Sequence, residues 1–456
     1  MRAATDSSRR RRWSALAVAA VGVPLAVAAV VPAATSAAWQ DPAYFATDVT
    51  ILPSLVPTEL DAGDGFTCAL VGGDLWCWGA GGNGQLGVGS TSDADVPVSG
   101  SATQMVVGAG AVVTAGLGYA CGVAEGLAYC WGNGGGRLGD YDVDAPWETP
   151  PASIPTPVYD LAAGAGNQYQ SPLSGQTVRE VVAGDYITCA ETVAGTAACW
   201  GQAVQLTRPA DGPTSWANAP IPLPTSAQDP ASELPPGSEI TSLSTMFQNA
   251  CFIAGGVGYC WGRNQEGQLG LDSQGQAYAA PVELHAGAIP AGALLTDITA
   301  GTYHTCAIAD AKAYCWGLRS GDLIGDDGGQ SGSQNSPAAV VGLDGLTMVE
   351  ISAGGTSTCA LDSTGQAWCW GSNTRGQLGT TAVPVFGTAP VPVAVMQPAG
   401  VHFTMLSSGS SHVCAIGDDD NMYCWGAAGA LGTGAGQVDT MVPSVPVTPS
   451  WESVEE

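Results

Sequence analysis

The fourteen cysteines of this chain fall into seven close pairs, and this arrangement limits its possible folds more than any other feature. Cys68 pairs with Cys77, Cys121 with Cys130, Cys189 with Cys199, Cys251 with Cys260, Cys306 with Cys315, Cys359 with Cys369, and Cys414 with Cys424. Each second cysteine is followed by Trp-Gly. With a two-residue turn at Gly72-Gly73, the nine-residue spacing sets Cys68 opposite Cys77 in a non-hydrogen-bonded pair of an antiparallel hairpin. Cα atoms about 4.5 Å apart in such a pair lie within disulfide reach. The same arithmetic centres turns on Glu125-Gly126, Gly255-Gly256 and Asp310-Ala311. Ten-residue spacings call for three-residue turns. Val193-Ala194-Gly195 and Ser363-Thr364-Gly365 carry glycine where a left-handed residue is wanted; Asp418-Asp419-Asp420 fits least well, with Asn421 following. Zinc ligand pairs sit about two to four residues apart and converge in fours, whereas these pairs are spread evenly along the chain. Cross-hairpin disulfides are therefore expected, with reduced core cysteines as the alternative.

The N-terminus agrees with an oxidising destination. Arg9 to Arg12 form a basic segment, Ala15 to Val31 an apolar stretch broken by Pro24, and Thr35-Ser36-Ala37-Ala38 offers small residues for cleavage before Trp39. Residues 1–38 are read as an export signal, with retention as a membrane anchor as the alternative. Residues 39–47 form a short lead. Across the chain 40 acids face 12 Lys and Arg, a net charge of -28, and Arg2 and Arg9 to Arg12 lie within the signal. Nucleic acid is excluded as a partner, because a phosphate backbone needs a basic track. No other stretch is apolar enough to span a membrane.

First cysteines recur 53, 68, 62, 55, 53 and 55 residues apart, which suits four short strands with loops. Too many glycines, valines, threonines and prolines stand in each unit for a pair of packed helices. The expected architecture is all-β, a seven-bladed propeller over residues 48–456 with one disulfide in each blade hairpin. Val442-Pro443-Ser444-Val445-Pro446-Val447 resembles an outer blade strand, and the end of the chain is expected to pair with material before Gly63, so that strands from both termini close the ring. A Gly-Gln-Leu-Gly turn follows the hairpins of blades 1, 4 and 6, and variants of it follow those of blades 5 and 7. Blade 2 has Gly136-Arg137-Leu138-Gly139 and then an insertion from Asp140 to Gly175; blade 3 lacks the turn and carries a proline-rich loop from Gln202 to Pro236.

Ala300-Gly301-Thr302-Tyr303-His304-Thr305-Cys306-Ala307, Tyr314-Cys315-Trp316-Gly317 and Asn373-Thr374-Arg375-Gly376-Gln377-Leu378-Gly379 resemble the repeats of the regulator of chromosome condensation family. The resemblance covers roughly residues 48–456 and implies a seven-bladed propeller. Its members include nuclear exchange factors, plant ultraviolet photoreceptors and secreted bacterial β-lactamase inhibitors. The photoreceptor pattern Gly-Trp-Arg-His is absent, and an exported acidic chain is closest in setting to the secreted bacterial members. The regular cysteine pairs set this chain apart from typical members.

Glycine stands five positions before the first cysteine in six units, at Gly63, Gly116, Gly184, Gly301, Gly354 and Gly409, with Met246 in the seventh. The turn tips that follow vary, as expected of a scaffold presenting a composite face. Tyr119, Tyr186, Phe247, Tyr303, His304 and His412 are the candidate partner-binding residues, since aromatics give large contact area for little entropy. Local packing, or a structural hydrogen bond for the two histidines, is the competing role. The seven tryptophans after the second cysteines are expected to pack blade on blade. No Gly-x-Ser-x-Gly elbow or phosphate loop occurs, and Asp326-Asp327 and Asp418-Asp419-Asp420-Asn421 do not follow a calcium-loop spacing. No catalytic residue, metal or cofactor is expected. The expected function is an exported, noncatalytic protein-binding scaffold, an inhibitor or cell-surface module, whose partner is an extracellular or envelope protein. A carbohydrate-binding or carbohydrate-active propeller is the alternative, because some pair of carboxylates could flank a cleft.

Overall fold

Each repeat unit forms one four-stranded antiparallel sheet, its strands neighbouring one another in chain order. The seven blades span 57–99, 112–157, 178–222, 240–283, 295–339, 348–394 and 403–444. The computed structural model describes residues 56–99, 111–139, 151–158, 172–201, 217–275, 277–329, 331–434 and 438–446. The expected signal, the lead and the last ten residues lie outside these.

Second strands such as Phe66–Val71 and Ser357–Asp362 are buried along their whole length. Their sequences, Phe-Thr-Cys-Ala-Leu-Val and Ser-Thr-Cys-Ala-Leu-Asp, lack the polar alternation of a one-sided sheet, because neighbouring blades cover both faces.

All fourteen cysteines are oxidised, and every bond is the one expected from spacing. Cys68 is bonded to Cys77, Cys121 to Cys130, Cys251 to Cys260 and Cys306 to Cys315 across the nine-residue hairpins. Cys189 is bonded to Cys199, Cys359 to Cys369 and Cys414 to Cys424 across the ten-residue ones. In every pair the two cysteines stand directly opposite each other on the second and third strands, with Cα atoms 4.0–4.1 Å apart. The alternative of reduced core cysteines is thereby removed.

Gly72 and Gly73 both have positive φ, as do Asp310 and Ala311, the signature of the mirror-image two-residue turn. In the least regular hairpin, Asp420 itself takes the left-handed position at φ 62°. The Trp-Gly glycine is obligatory: φ there runs from 95° to 112°, and a Cβ would stand 2.2–2.9 Å from the facing backbone.

The indoles of all seven Trp-Gly pairs are buried, and six of them reach back to the preceding blade. Nε1 of Trp131, Trp200, Trp316, Trp370, Trp425 and Trp78 donates to the carbonyl of Gln85, Arg137, Gln268, Leu323, Gln377 and Ala430, over 2.8–3.0 Å. The acceptor always lies two residues before the last glycine of the Gly-x-Leu-Gly turn or its variant, which explains why hairpin and turn recur together. Trp261 faces blade 3, whose sequence lacks that turn, and its buried N–H has no hydrogen-bond partner among the described residues.

A second set of bonds circles the axis. Innermost strands from all seven blades line a narrow channel. At six junctions a side chain on one blade accepts the main-chain N–H of the next: Ala115 N to Asp61 Oδ2, Ala183 N to Thr114 Oγ1, Ala300 N to Ser244 Oγ, Ala353 N to Thr299 Oγ1, Ser408 N to Ser352 Oγ and Ala62 N to Ser407 Oγ, all 2.8–3.1 Å. Val182 interrupts the pattern between blades 3 and 4, where Thr245 Oγ1 meets the Val182 carbonyl at 3.5 Å instead.

The closing junction, blade 7 to blade 1, uses the same bonds as the others. The outer strand Thr440–Ser444 pairs with Met422–Gly426, and Pro57–Ala62 pairs with Phe66–Val71. Among the described residues no strand is exchanged between the termini, and the ring shuts face to face. The two expected loops also hold structure: Ala152–Pro157 and Ala217–Pro222 are the outermost strands of blades 2 and 3, the edge position where proline's missing N–H costs no ladder bond.

Candidate partner-binding face

Each tip turn but one begins at the recurring glycine, and sterics explain the recurrence. A Cβ at Gly63, Gly116, Gly301, Gly354 or Gly409 would come 2.3–2.8 Å from a carbonyl oxygen of the next blade's tip. Main-chain bonds tie neighbouring tips together, as from Tyr186 N to the Phe247 carbonyl at 3.2 Å and from Ser410 N to the Gly63 carbonyl at 3.3 Å. Two side-chain positions then lie at each tip, and a third turns in.

That third position corrects half of the expected face. Tyr119, His304 and His412 open the second strands of their blades and are buried, at 0, 0 and 1% exposure. They point into the seam towards the next blade, where Tyr119 Oη lies 2.9 Å from Thr188 Oγ1, His304 Nε2 2.7 Å from Thr358 Oγ1, and His412 Nε2 2.8 Å from Thr67 Oγ1. Burial raises the Tyr119 phenol and lowers both imidazoles to about 4, so the histidines are neutral links between blades. Where the seam-facing side chain is apolar, as with Phe66 and Ile187, the next blade presents Ala120 or Ala250 in place of threonine. His285 and His402 sit apart on the surface, each with an aspartate, Asp272 at 2.8 Å and Asp418 at 2.9 Å.

Tyr186, Phe247 and Tyr303, from the tips of blades 3, 4 and 5, are half-buried and meet one another. The Tyr186 and Phe247 rings are 5.4 Å apart edge to face, and those of Phe247 and Tyr303 6.2 Å apart and tilted. Two residues missed at the sequence level complete the cluster. The Arg137 guanidinium carbon stands 5.0 Å from the centre of Tyr186, and that of Arg263 5.0 Å from the centre of Phe247. Arg137 arrives through the Gly-Arg-Leu-Gly turn of blade 2 and Arg263 directly after the Trp-Gly of blade 4, so each is delivered by a recurring element at a position where other units carry other residues. Asp185, beside Tyr186, is pushed up to about 6 by burial and by nearby Asp64, with Arg137 acting against the rise. Outside blades 2 to 5 the tips are mostly small and polar, with Asp64 and Thr356 exposed. Aromatic and cationic character is thus gathered on one side of the face.

The model of the regulator of chromosome condensation (RCC1) repeat matches residues 72–117, 256–308 and 364–416, and a second model of the same repeat matches 348–377. The three longer matches each begin inside a blade hairpin and reach the next tip turn. The propeller carries RCC1 repeats. Among curated relatives, this propeller is 30% identical over 184 residues to the probable E3 ubiquitin-protein ligase HERC6 of Homo sapiens, covering 38% of this chain and 17% of that one. It is 27% identical over 213 residues to the ultraviolet-B receptor UVR8 of Arabidopsis thaliana, covering 46% of each. The chain thus spans less than half the length of either relative. Among solved structures, Prp20p of Saccharomyces cerevisiae superposes with a TM-score of 0.66 at 20% identity, over 83% of this chain and 86% of that one. Human WBSCR16 gives 0.65 at 16%, over 82% and 94%. These likenesses carry the fold.

Proposed function

We propose that this RCC1-repeat propeller is an exported, noncatalytic protein-binding scaffold that docks its partner on the tip face of blades 3 to 5. Propellers of this repeat class mediate protein interactions. The observation that carries the reading is the contact of Tyr186, Phe247 and Tyr303, three half-buried aromatic rings from three different repeats meeting on a face whose other tips are mostly small or polar. Rigid rings held by a disulfide-bonded scaffold offer contact area at small entropic cost. Export is supported by the reading of residues 1–38 as a signal and by seven disulfides with no free cysteine, which belong to an oxidising compartment. No helix among the described residues is long and apolar enough to cross a membrane. The secreted inhibitors of this repeat class are the nearest functional model, with a soluble or surface-attached protein as partner.

The test is capture from the source organism's envelope and medium with the wild-type chain and with a variant carrying Tyr186→Ala, Phe247→Ala and Tyr303→Ala together, followed by mass spectrometry. A protein retained by the first and lost by the second is expected. Equal recovery by both would remove this face as the docking site.

A further inference from the structure

Charge on this propeller is distributed unevenly in a way that the docking reading does not require. Three of the described arginines pair with carboxylates: Arg179 with Glu191, Arg319 with Asp326 at 2.8 Å and Arg375 with Asp439 at 3.2 Å. Among the described residues Arg137 and Arg263 have no carboxylate at ion-pair distance, in a chain carrying 40 acids, and both lie in the aromatic cluster. Arg137 is only 8% exposed, and its Nε is buried without a hydrogen-bond partner among the described residues, as is that of Arg263. Buried polar atoms of this kind are costly unless a further group completes them. A guanidinium lying over a ring keeps its in-plane N–H groups at the edge of the stack, the orientation that meets a carboxylate with two parallel bonds.

Resting on the docking reading above, we propose that the partner presents an acidic segment, with carboxylate side chains received by Arg137 and Arg263 and a neighbouring apolar or aromatic side chain seated among Tyr186, Phe247 and Tyr303. The rest of the molecule sharpens this choice. With a net charge of -28 the surface repels an acidic partner almost everywhere, and the exposed Asp64 repels it at the blade 1 tip of the face. Attraction is left at one spot, so charge fixes where and in which orientation the partner lands more than how tightly it holds.

A displayed library of random peptides, selected on the wild-type chain and counter-selected on the triple alanine variant, tests the acidic class separately from the face. Enriched peptides are expected to carry Asp or Glu next to an aromatic or large apolar residue and to bind less tightly as salt is raised. Binding should weaken by about tenfold or more when Arg137→Gln and Arg263→Gln are combined, since a charge-assisted pair contributes roughly 1.5–3 kcal/mol. Replacing the acids of the peptide by Asn and Gln gives the same readout with the protein untouched, should the double variant fold poorly. Ring-dependent peptides that are neutral or basic, or acidic ones indifferent to both replacements, would overturn the acidic class and leave the face standing. If no peptide depends on the three rings, the face and this inference fall together.

Discussion

His412 Nε2 of the last blade lies 2.8 Å from Thr67 Oγ1 of the first, although 345 residues separate them in the chain. The pair closes the ring with the same geometry that His304 and Thr358 use between two interior blades, 2.7 Å apart. Closure is therefore one more copy of an ordinary junction.

Both imidazoles should make the ring sensitive to acid. Burial holds His304 and His412 at about 4, against an ordinary 6.5. Between those values the unfolded chain binds more protons than the folded one, so the stability present above pH 6.5 falls progressively as pH drops towards 4, by up to roughly 3 kcal/mol for each histidine. Tyr119 occupies the equivalent seam and bonds Thr188, which makes His412→Tyr a compatible replacement. Thermal unfolding of that variant should depend less on pH over this range than that of the wild type; an identical pH profile would refute the assignment.

Asp185 acts in the opposite direction. Its carboxyl is raised from 3.8 to about 6 in the folded chain, so the unfolded chain loses its proton first and stability declines as pH rises between those values. Asp185→Asn is expected to raise Tm at pH near 7.5, through a stabilisation of at most about 3 kcal/mol, and to have little effect at pH near 4. Melting curves at the two pH values decide it.

The tryptophans should not be equivalent. Trp425 donates to the Gln377 carbonyl at 3.0 Å, whereas the Trp261 N–H has no partner among the described residues. Trp425→Phe is expected to cost about 1 kcal/mol more than Trp261→Phe, the contribution of one buried hydrogen bond, measured by denaturant unfolding. Truncation of either to alanine should cost about 3–5 kcal/mol, because both rings are fully buried.

Gly354 offers a steric test. An added Cβ would sit 2.3 Å from the Gly409 carbonyl oxygen of the next blade, so Gly354→Ala should destabilise by about 2 kcal/mol or more. At Gly400 φ is 80° with nothing within 4 Å, and alanine there should cost about 1 kcal/mol, for backbone conformation alone. Equal losses at the two sites would argue against contact between the tips.

The hairpins were legible because cysteine spacing and turn length constrain each other locally, and the blade count followed from repetition. Cys121 with Cys130 and Cys359 with Cys369 show the rule at both lengths, the extra residue of the second pair being taken up in the turn. The seams were legible only in part: the seven tryptophans were expected between blades, but the inward turn of the third tip residue was not. Whether the third tip residue points out to solvent or into the next blade depends on how blades pack, and an alternating pattern does not distinguish these directions; Tyr119 accordingly read as a surface group, and His304 and His412 as either surface groups or structural hydrogen-bonding residues, the second of which the structure shows. The axial bonds were missed for a related reason. Asp61, Thr114, Ser244, Thr299, Ser352 and Ser407 share one position and one task, but a carboxylate, threonines and serines do not look alike in a sequence. Arg137 and Arg263 occupy unlike positions in their repeats and meet the aromatic tips only once the ring is closed. The outer strands of blades 2 and 3 lay inside stretches whose prolines suggested loops.

Fourteen thiols can in principle be joined in a very large number of ways, yet every bond here links residues nine or ten apart. The correct thiol partner is thus always the first to come within reach as the polypeptide is threaded out, and oxidation can keep pace with emergence. Such a chain should acquire its crosslinks in order and have little need of an isomerase to sort them.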